Sequence, residues 1–586
     1  MVAIPEAWCI GGRELGEPRL HDGGDALGYL AGSGGSAALW LHPLDGAPPR
    51  QLTSVPPPRS ARGLGGGVWN WTAGGDGVVY VGADGRLWHQ PLDGGPRQVT
   101  EHTDRTVAAP APTPDGAWVL YTVDDAEVWR AGLGQDPTAE RLDDGTAHFV
   151  MDPWPMPCGS GALWVAWDVP DMPWDHSRVQ RMTFDGSVRD EFRPPHAVQQ
   201  ARTLADGRGI AVQDDDGWLN VWLDGAAVVA EPVEHAGPTW GPGQRSYAAS
   251  PDGRRIAFTR NESGFGRLCV VDTQSAAVTE IGRGVHGQLS WAGGRLAALR
   301  SGARTPPEIV VYDTTTWQRA TVAIGSVDGW RRAGLTEPTA LRIPPASIPA
   351  RLYRATEPSN RLLCWVHGGP TDQWQVTFMP RVAYWQSRGW NVLVPDHRGS
   401  TGHGRAFQQA LRGQWGVADV DDVSAAIAEA HRQGWGAPDT TFVVGGSAGG
   451  FTALGVLAGG AVELCGVVAS YPVADLADLG ERSHRFERHY TDTLVGALPG
   501  AALALTDRSP ISHPQRLTSR PILIMHGADD PVVPVDQSQQ LAEAVNAAGG
   551  RVELHVYTGE GHGFRQPATQ ADEYRRMADF FARHGG

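Results

Sequence analysis

The segment LWLHPLDGAPPRQLT, Leu39 to Thr53, returns as LWHQPLDGGPRQVT, Leu87 to Thr100, which sets Trp40 and Trp88 48 residues apart. A period of that length suits a propeller blade, a unit that buries its faces only by stacking on neighbours. Weaker copies begin at Val128 (VWRAGLG), Val179 (VQRMTFDG), Leu219 (LNVWLDG), Leu268 (LCVVDTQ) and Ile309 (IVVYDTT), giving seven candidate units between about residues 12 and 326. Each joins a short apolar or alternating run to a tight-turn signal. At Pro114 to Gly116 and Pro251 to Gly253 that signal is PDG, whose glycine accepts the positive φ of the turn. The 76 glycines and 44 prolines of this 586-residue chain follow no repeating triplet and accompany 41% hydrophobic residues, so they serve turns rather than a collagenous or disordered polymer. The tryptophans of this half are expected to fill blade interfaces, whereas MDPWPMP from Met151, with Trp167 and Trp174, suggests a longer loop near a substrate chamber.

After about Asp328 the pattern changes to apolar runs separated by helix-forming sequence: RLLCWVHGG, NVLVPDHRG, TFVVGGSAGG, CGVVASYPV, RPILIMHGADD and RVELHVYTG. This predicts an α/β unit with a largely parallel, buried sheet. The chain therefore divides into a seven-bladed β-propeller at 1–328 and an α/β-hydrolase domain at 329–586.

Thr441 to Val444, the glycine-rich GGSAGG around Ser447, and FTALGVLAG follow one another as strand, tight turn and helix. Small residues on both sides of Ser447 permit the elbow that exposes a nucleophilic hydroxyl and let substrate approach the backbone. A serine hydroxyl is a weak nucleophile near neutral pH and needs an oriented base. Asp529 and Asp530 follow the run ILIMHG, and His562 lies between glycines after VELHVYTG. The order Ser447, Asp530, His562 is that of an α/β-hydrolase triad, with Asp530 preferred from HGxxDxxVP and Asp529 left a turn role. His526 and His555 read as structural. The loop His367-Gly368-Gly369-Pro370 follows LLCWV, and the backbone N–H groups of Gly369 and Ala448 are the expected oxyanion donors.

These pieces, with DHRGSTGHGRAF from Asp396, GQWG from Gly413, SYPVADL from Ser470 and GEGHGF from Gly559, resemble the catalytic domain of the prolyl oligopeptidase family of serine peptidases, nearest its acylaminoacyl-peptidase and related exopeptidase branches. The resemblance implies a propeller that covers the hydrolase cleft and favours short peptides, and the same three catalytic residues. Some members place a tyrosine hydroxyl in the first oxyanion loop; His367 stands there, which supports backbone donors. Dipeptidyl members bind a free amine with paired glutamates from the propeller, and no adjacent Glu-Glu occurs in this chain.

Val533, Trp374, Phe378 and Tyr471 are the candidate lining of an apolar first substrate pocket, and Glu487 in HRFERHY offers either a terminal-ammonium partner or a helix salt bridge. Asp396 and Arg398 read as pairing or hydrogen-bonding behind the active-site loop rather than performing chemistry, and Asp419, Asp421 and Asp422 as a helix start. The expected activity is hydrolysis of short peptides through an acyl-enzyme, releasing an N-terminal or N-acylated residue with an apolar side chain. The alternatives are a dipeptidyl peptidase, or an amidase or esterase acting on a small peptide-like metabolite; a non-enzymatic propeller scaffold has no need for these four loops together.

No metal or organic cofactor is required by this chemistry. Five widely spaced cysteines, Cys9, Cys158, Cys269, Cys364 and Cys465, suggest core residues rather than a disulfide framework or a paired-cysteine zinc site. A formal charge of -16 gives no reason to expect nucleic acid or an anionic membrane as partner. Partners reduce to a short peptide or peptide-like substrate and, at most, further copies of the chain. The start lacks a basic leader with an apolar core, which favours the cytoplasm.

Overall fold

A computed structural model describes residues 2–60, 66–134, 138–157, 159–184, 186, 188–325, 329–496 and 499–585. The chain divides into two compact units, Gly12–Val327 and Met1–Gly11 with Asp328–Gly586. The first eleven residues thus group with the second unit, whereas the sequence division placed them with the repeats.

Among the described residues the first unit contains seven four-stranded antiparallel sheets, the seven-bladed propeller. Its tryptophans tie neighbouring sheets together: the Trp69 and Trp71 indoles donate to the Glu17 and Arg19 carbonyls of the preceding blade, both at 3.1 Å. The expected loop at MDPWPMP is instead mostly strand, because Phe149–Pro155 and Gly161–Trp167 pair as the first two strands of the fourth blade. Alternation of buried and half-buried residues along this proline-containing run is enough for an inner strand once a β-bulge absorbs the irregularity at Asp152.

Such bulges recur. Glu17, Ala109, Asp152, Gln200 and Gln288 each have φ between 46° and 56° and each lies at a register shift in the first strand of a blade or its pairing. Gly243, before the sixth blade, meets the second, fourth and seventh: its N–H donates to Asp152 Oδ1 at 2.6 Å, its carbonyl accepts from Gln288 at 3.0 Å, and a β-carbon there would overlap the Gly67 backbone. Contacts among blades so far apart in order meet at the propeller axis, so the chain itself fills the axis at this level.

The second unit is built on one eight-stranded sheet. Its strands are β1 (Thr339–Ile343), β2 (Ile348–Tyr353), β3 (Leu362–Val366), β4 (Asn391–Pro395), β5 (Thr441–Gly446), β6 (Gly466–Ser470), β7 (Ile522–Gly527) and β8 (Val552–Tyr557), in the order β1-β2-β4-β3-β5-β6-β7-β8. The β1–β2 and β2–β4 pairs are antiparallel and the rest parallel. β3 to β7 are buried along almost their whole length, as continuous apolar runs covered by helices on both faces require. The parallel strands present their C-terminal ends on one edge, where the loops carrying Gly369, Ser447, Asp530 and His562 emerge. Cys269, Cys364 and Cys465 are buried and Cys9 half-buried, all four as free thiols; Cys158 lies outside the described residues.

Candidate active site

β5 leads directly into Ser447, which has φ 55° and ψ -126° and stands at the N-cap of the helix Ala448–Gly459. A non-glycine residue holds this conformation only where its surroundings enforce it. Here the enforcement comes from close approach. A β-carbon on Gly445 would overlap the Gly449 backbone, one on Gly450 would come within 2.9 Å of Pro472, and the Ser447 N–H donates to the Ser470 carbonyl at 3.0 Å. Strand β6 therefore clamps the elbow from one side. Strand β3 clamps it from the other, because Gly449 packs against the Val366 and His367 carbonyls.

The loop after β3 runs beside Ser447. A β-carbon on Gly368 would stand 3.5 Å from that of Ser447, and Gly369, at φ 120°, lines one cavity with Ser447 and Ala448. The first N–H groups of a helix have no acceptor within it and point outward, so the Ala448 amide at the head of its helix is suited to developing negative charge. His367 is fully buried, bonded to Ser400 Oγ at 2.7 Å and the Gly368 carbonyl at 2.8 Å. Burial, with the neighbouring His397, pushes its pKa down to about 3, so it is neutral and shapes the loop. Tyr490 holds the same loop: the Thr371 N–H donates to its oxygen at 3.1 Å and its hydroxyl donates to Thr371 Oγ1 at 2.5 Å.

Asp530 follows β7 with its side chain inaccessible to solvent, and His562 Nδ1 lies 2.7 Å from Asp530 Oδ2. The other carboxylate oxygen accepts the Val532 and Val533 amides at 2.8 and 3.0 Å. Burial would raise the Asp530 pKa, but the hydrogen bonds from His526 and His562 outweigh it and hold the group well below the usual carboxylate range. His526 is buried between Ser538 Oγ at 2.7 Å and the Val533 carbonyl at 2.9 Å, a tautomer with Nε2–H that fixes the turn carrying Asp530. Asp529 points away and accepts the Gly559 amide at 3.0 Å, while Glu560 accepts the Arg565 and Gln566 amides, both at 2.9 Å. These bonds pin the His562 loop at both ends. Gly527 lets it approach, since any side chain there would meet the Glu560 and Gly561 carbonyls.

The cavity at Ser447, about 20 Å³, is lined also by Val533 and Glu487. Glu487 is among the residues lining the cavity and pairs with His484 at 3.2 Å, in the turn between helices Leu476–Arg482 and Tyr490–Leu494 rather than on a helix. Tyr471 lies with its ring centroid 4.6 Å from that of His562 and its edge close to Gly446, so it packs beside the imidazole. Trp374 and Phe378 are not brought to this cavity. They line a separate one of about 290 Å³ with Cys9, Arg381, Gln570 and Tyr574, because the chain after Pro370 turns toward the helices Pro380–Gln386 and Pro567–His584. Val473, Leu479, Ser483, Tyr490 and Trp415 take the lining positions instead. Trp415 stands in GQWG and Val473 in SYPVADL, so the motifs held the residues without their role.

Asp396 accepts two bonds from Arg351, and Arg398 pairs with Asp422 at 2.8 Å at the start of helix Ala418–Arg432. Among the described residues no group of three or more His, Cys, Asp or Glu side chains could hold a metal ion, and no helix is long and apolar enough to cross a membrane.

Residues 376–586 match the family model described as Prolyl oligopeptidase family. "Dipeptidyl peptidase family member 6" of Caenorhabditis elegans is 30% identical over 229 residues, 38% of this chain and 30% of that protein. The "Acylamino-acid-releasing enzyme" of Arabidopsis thaliana is 27% identical over 238 residues, again 38% of this chain and 30% of that protein. The match thus spans under a third of either curated relative. Solved structures match over nearly the full chain. A puromycin-hydrolysing peptidase of Mycobacterium tuberculosis superposes with a TM-score of 0.88 at 27% identity, covering 98% of this chain and 95% of that one. A puromycin hydrolase superposes with a TM-score of 0.86 at 29% identity, covering 97% and 94%.

Proposed function

Since the chain belongs to the prolyl oligopeptidase family, we propose that it is a serine peptidase that cleaves short peptides and peptide-like amides through an acyl-enzyme and releases the N-terminal residue. The observation that carries this reading is the 2.7 Å bond between His562 Nδ1 and the inaccessible Asp530 carboxylate, with Tyr471 packed both on the His562 ring and against Gly446, the residue before the Ser447 elbow. In this reading Ser447 Oγ attacks the scissile carbonyl as His562 Nε2 takes its proton, and Asp530 stabilises the resulting imidazolium. The Gly369 and Ala448 amides receive the oxyanion. His562 then returns the proton to the departing amine, and water attacks the acyl-enzyme by the same route in reverse.

Glu487 supports a free rather than acylated N-terminus, because a carboxylate facing the cavity offers an ammonium partner. An amidase acting on a peptide-like metabolite is the second reading, supported by the two structures whose descriptions name puromycin. A fluorophosphonate probe should label the native protein and not the Ser447→Ala variant. A panel of free and N-acylated peptides, aminoacyl amides and esters then separates the readings. Release of single residues from free peptides supports the main proposal, efficient cleavage confined to amides or esters supports the second, and an unlabelled native protein removes both.

A further inference from the structure

We propose that Tyr471 is a positioning residue of the site: the His562 imidazole lies on its ring, which sets the plane of the imidazole relative to Ser447. This deepens the preceding reading and rests on His562 being the base that serves Ser447. It is a different role from the pocket lining expected of Tyr471 from the sequence.

The need for such a surface comes from how little else holds the imidazole. His562 stands between Gly561 and Gly563, which have no side chains to brace it, and Gly563 has φ 103°. Among the described residues the His562 side chain makes one hydrogen bond, from Nδ1 to Asp530 Oδ2 at 2.7 Å. That bond fixes one atom of the ring and not its plane, and the Nε2 lone pair lies in the plane. A proton leaves Ser447 Oγ readily only when that lone pair points at it. Tyr471 supplies the missing constraint, with its centroid 4.6 Å from that of the imidazole and 55° between the planes; among the described residues no other ring packs on His562.

Tyr471 is itself firmly held. It follows β6 directly and has φ 39°, a conformation that costs a bulky residue about 1–3 kcal/mol. Its N–H donates to the Met525 carbonyl of β7 at 2.7 Å, and its ring stands edge-on to Phe564 at 5.6 Å and to His526 at 6.5 Å. On the side of the elbow, a β-carbon on Gly446 would come within 3.1 Å of the ring edge. The ring is thus wedged between the residue before Ser447 and the loop of His562. One rigid side chain spaces the nucleophile strand from the base, which gives the strained backbone at Tyr471 a use. The contact with His562 is made by the ring, so it does not require the hydroxyl.

The test compares Tyr471→Leu and Tyr471→Phe with the native protein on the best-accepted aminoacyl p-nitroanilide, with end-point fluorophosphonate labelling to count reactive Ser447. In Tyr471→Leu, kcat per labelled Ser447 should fall about ten- to a hundredfold while KM stays within about twofold, the loss expected when a general base is tilted from its proton. Tyr471→Phe restores the ring and should recover kcat to within about threefold of native. A merely structural role would lower the melting temperature and the labelled fraction of Tyr471→Leu and leave kcat per labelled Ser447 unchanged, which overturns the proposal. A loss confined to KM also overturns it, as does a Tyr471→Phe variant as impaired as Tyr471→Leu. Native protein that labels, beside a Tyr471→Leu variant of unchanged kcat, defeats this inference alone, whereas native protein that does not label defeats the underlying reading with it. If Tyr471→Leu does not fold, Tyr471→Met decides on the same criteria.

Discussion

Gly449 and the Val366 carbonyl oxygen stand so close that a β-carbon on Gly449 would overlap that oxygen. The first turn of the nucleophile helix is thereby pressed onto the end of β3, which also starts the oxyanion loop. Gly449→Ala should force the helix away, destabilising the second unit by about 1–3 kcal/mol and lowering kcat by about a hundredfold through misplacement of Ser447 and Ala448. Gly480 in helix Leu476–Arg482 has open space where its β-carbon would lie. The same change there should raise stability by up to about 1 kcal/mol. Thermal melting of both variants, with kcat for Gly449→Ala, checks the opposite signs.

Asp530 accepts from His562 with one oxygen and from the Val532 and Val533 amides with the other. Asp530→Asn keeps the shape but presents an amide that can turn its N–H₂ toward His562, favouring the wrong imidazole tautomer. We expect kcat to fall by about 10³–10⁴ with KM little changed, and steady-state kinetics on any accepted amide reads this directly. A loss confined to KM would remove Asp530 from the catalytic role proposed for it.

The elements that position Ser447, Asp530 and His562 were legible because each loop is short and follows a continuous apolar strand, so strand and loop fall in one local pattern. The repeat of Trp40 and Trp88 exposed the propeller in the same way. The pocket was not legible. Trp374 and Phe378 lie only a few residues past the oxyanion loop, yet the direction of the chain after Pro370 is set by packing against the distant helix Pro567–His584. The blade bulges were also hidden, since Glu17, Ala109 and Gln288 share a positive φ but no residue type. Their conformation is set by closure of the sheets around the axis, which a local pattern does not carry.

Tyr490 reaches back to Thr371 with two hydrogen bonds while lining the cavity at Ser447. It is a positioning residue, acting on the oxyanion donor through the loop that carries Gly369. Tyr490→Phe removes both bonds and should therefore lower kcat by about tenfold, about 1.4 kcal/mol of lost transition-state stabilisation passed on through the loop, with a smaller effect on KM. A merely structural role would lower the melting temperature and leave kcat per labelled Ser447 unchanged. Active-site titration with a fluorophosphonate distinguishes the two.

Asp396 is fully buried and accepts from Arg351 at 2.7 and 2.5 Å, from His403 at 2.7 Å and from Gln373 at 2.8 Å. Burial alone would raise its pKa; the Arg351 charge and the His403 and Arg351 bonds more than offset this and hold it well below the usual carboxylate range. A carboxylate depressed in the folded state adds stability that is fully present above its unfolded pKa, near 3.9, and is lost as pH falls below that value. The melting temperature should therefore drop steeply on acidification below about pH 4–5. Asp396→Asn removes that linkage but leaves the Arg351 charge buried without its counter-ion, so it should cost about 3–5 kcal/mol at neutral pH while flattening the acid limb. Melting curves from pH 7 to pH 3 check both parts, and an acid limb as steep in the variant as in the native protein would place the acid sensitivity in other carboxylates, Asp530 first among them.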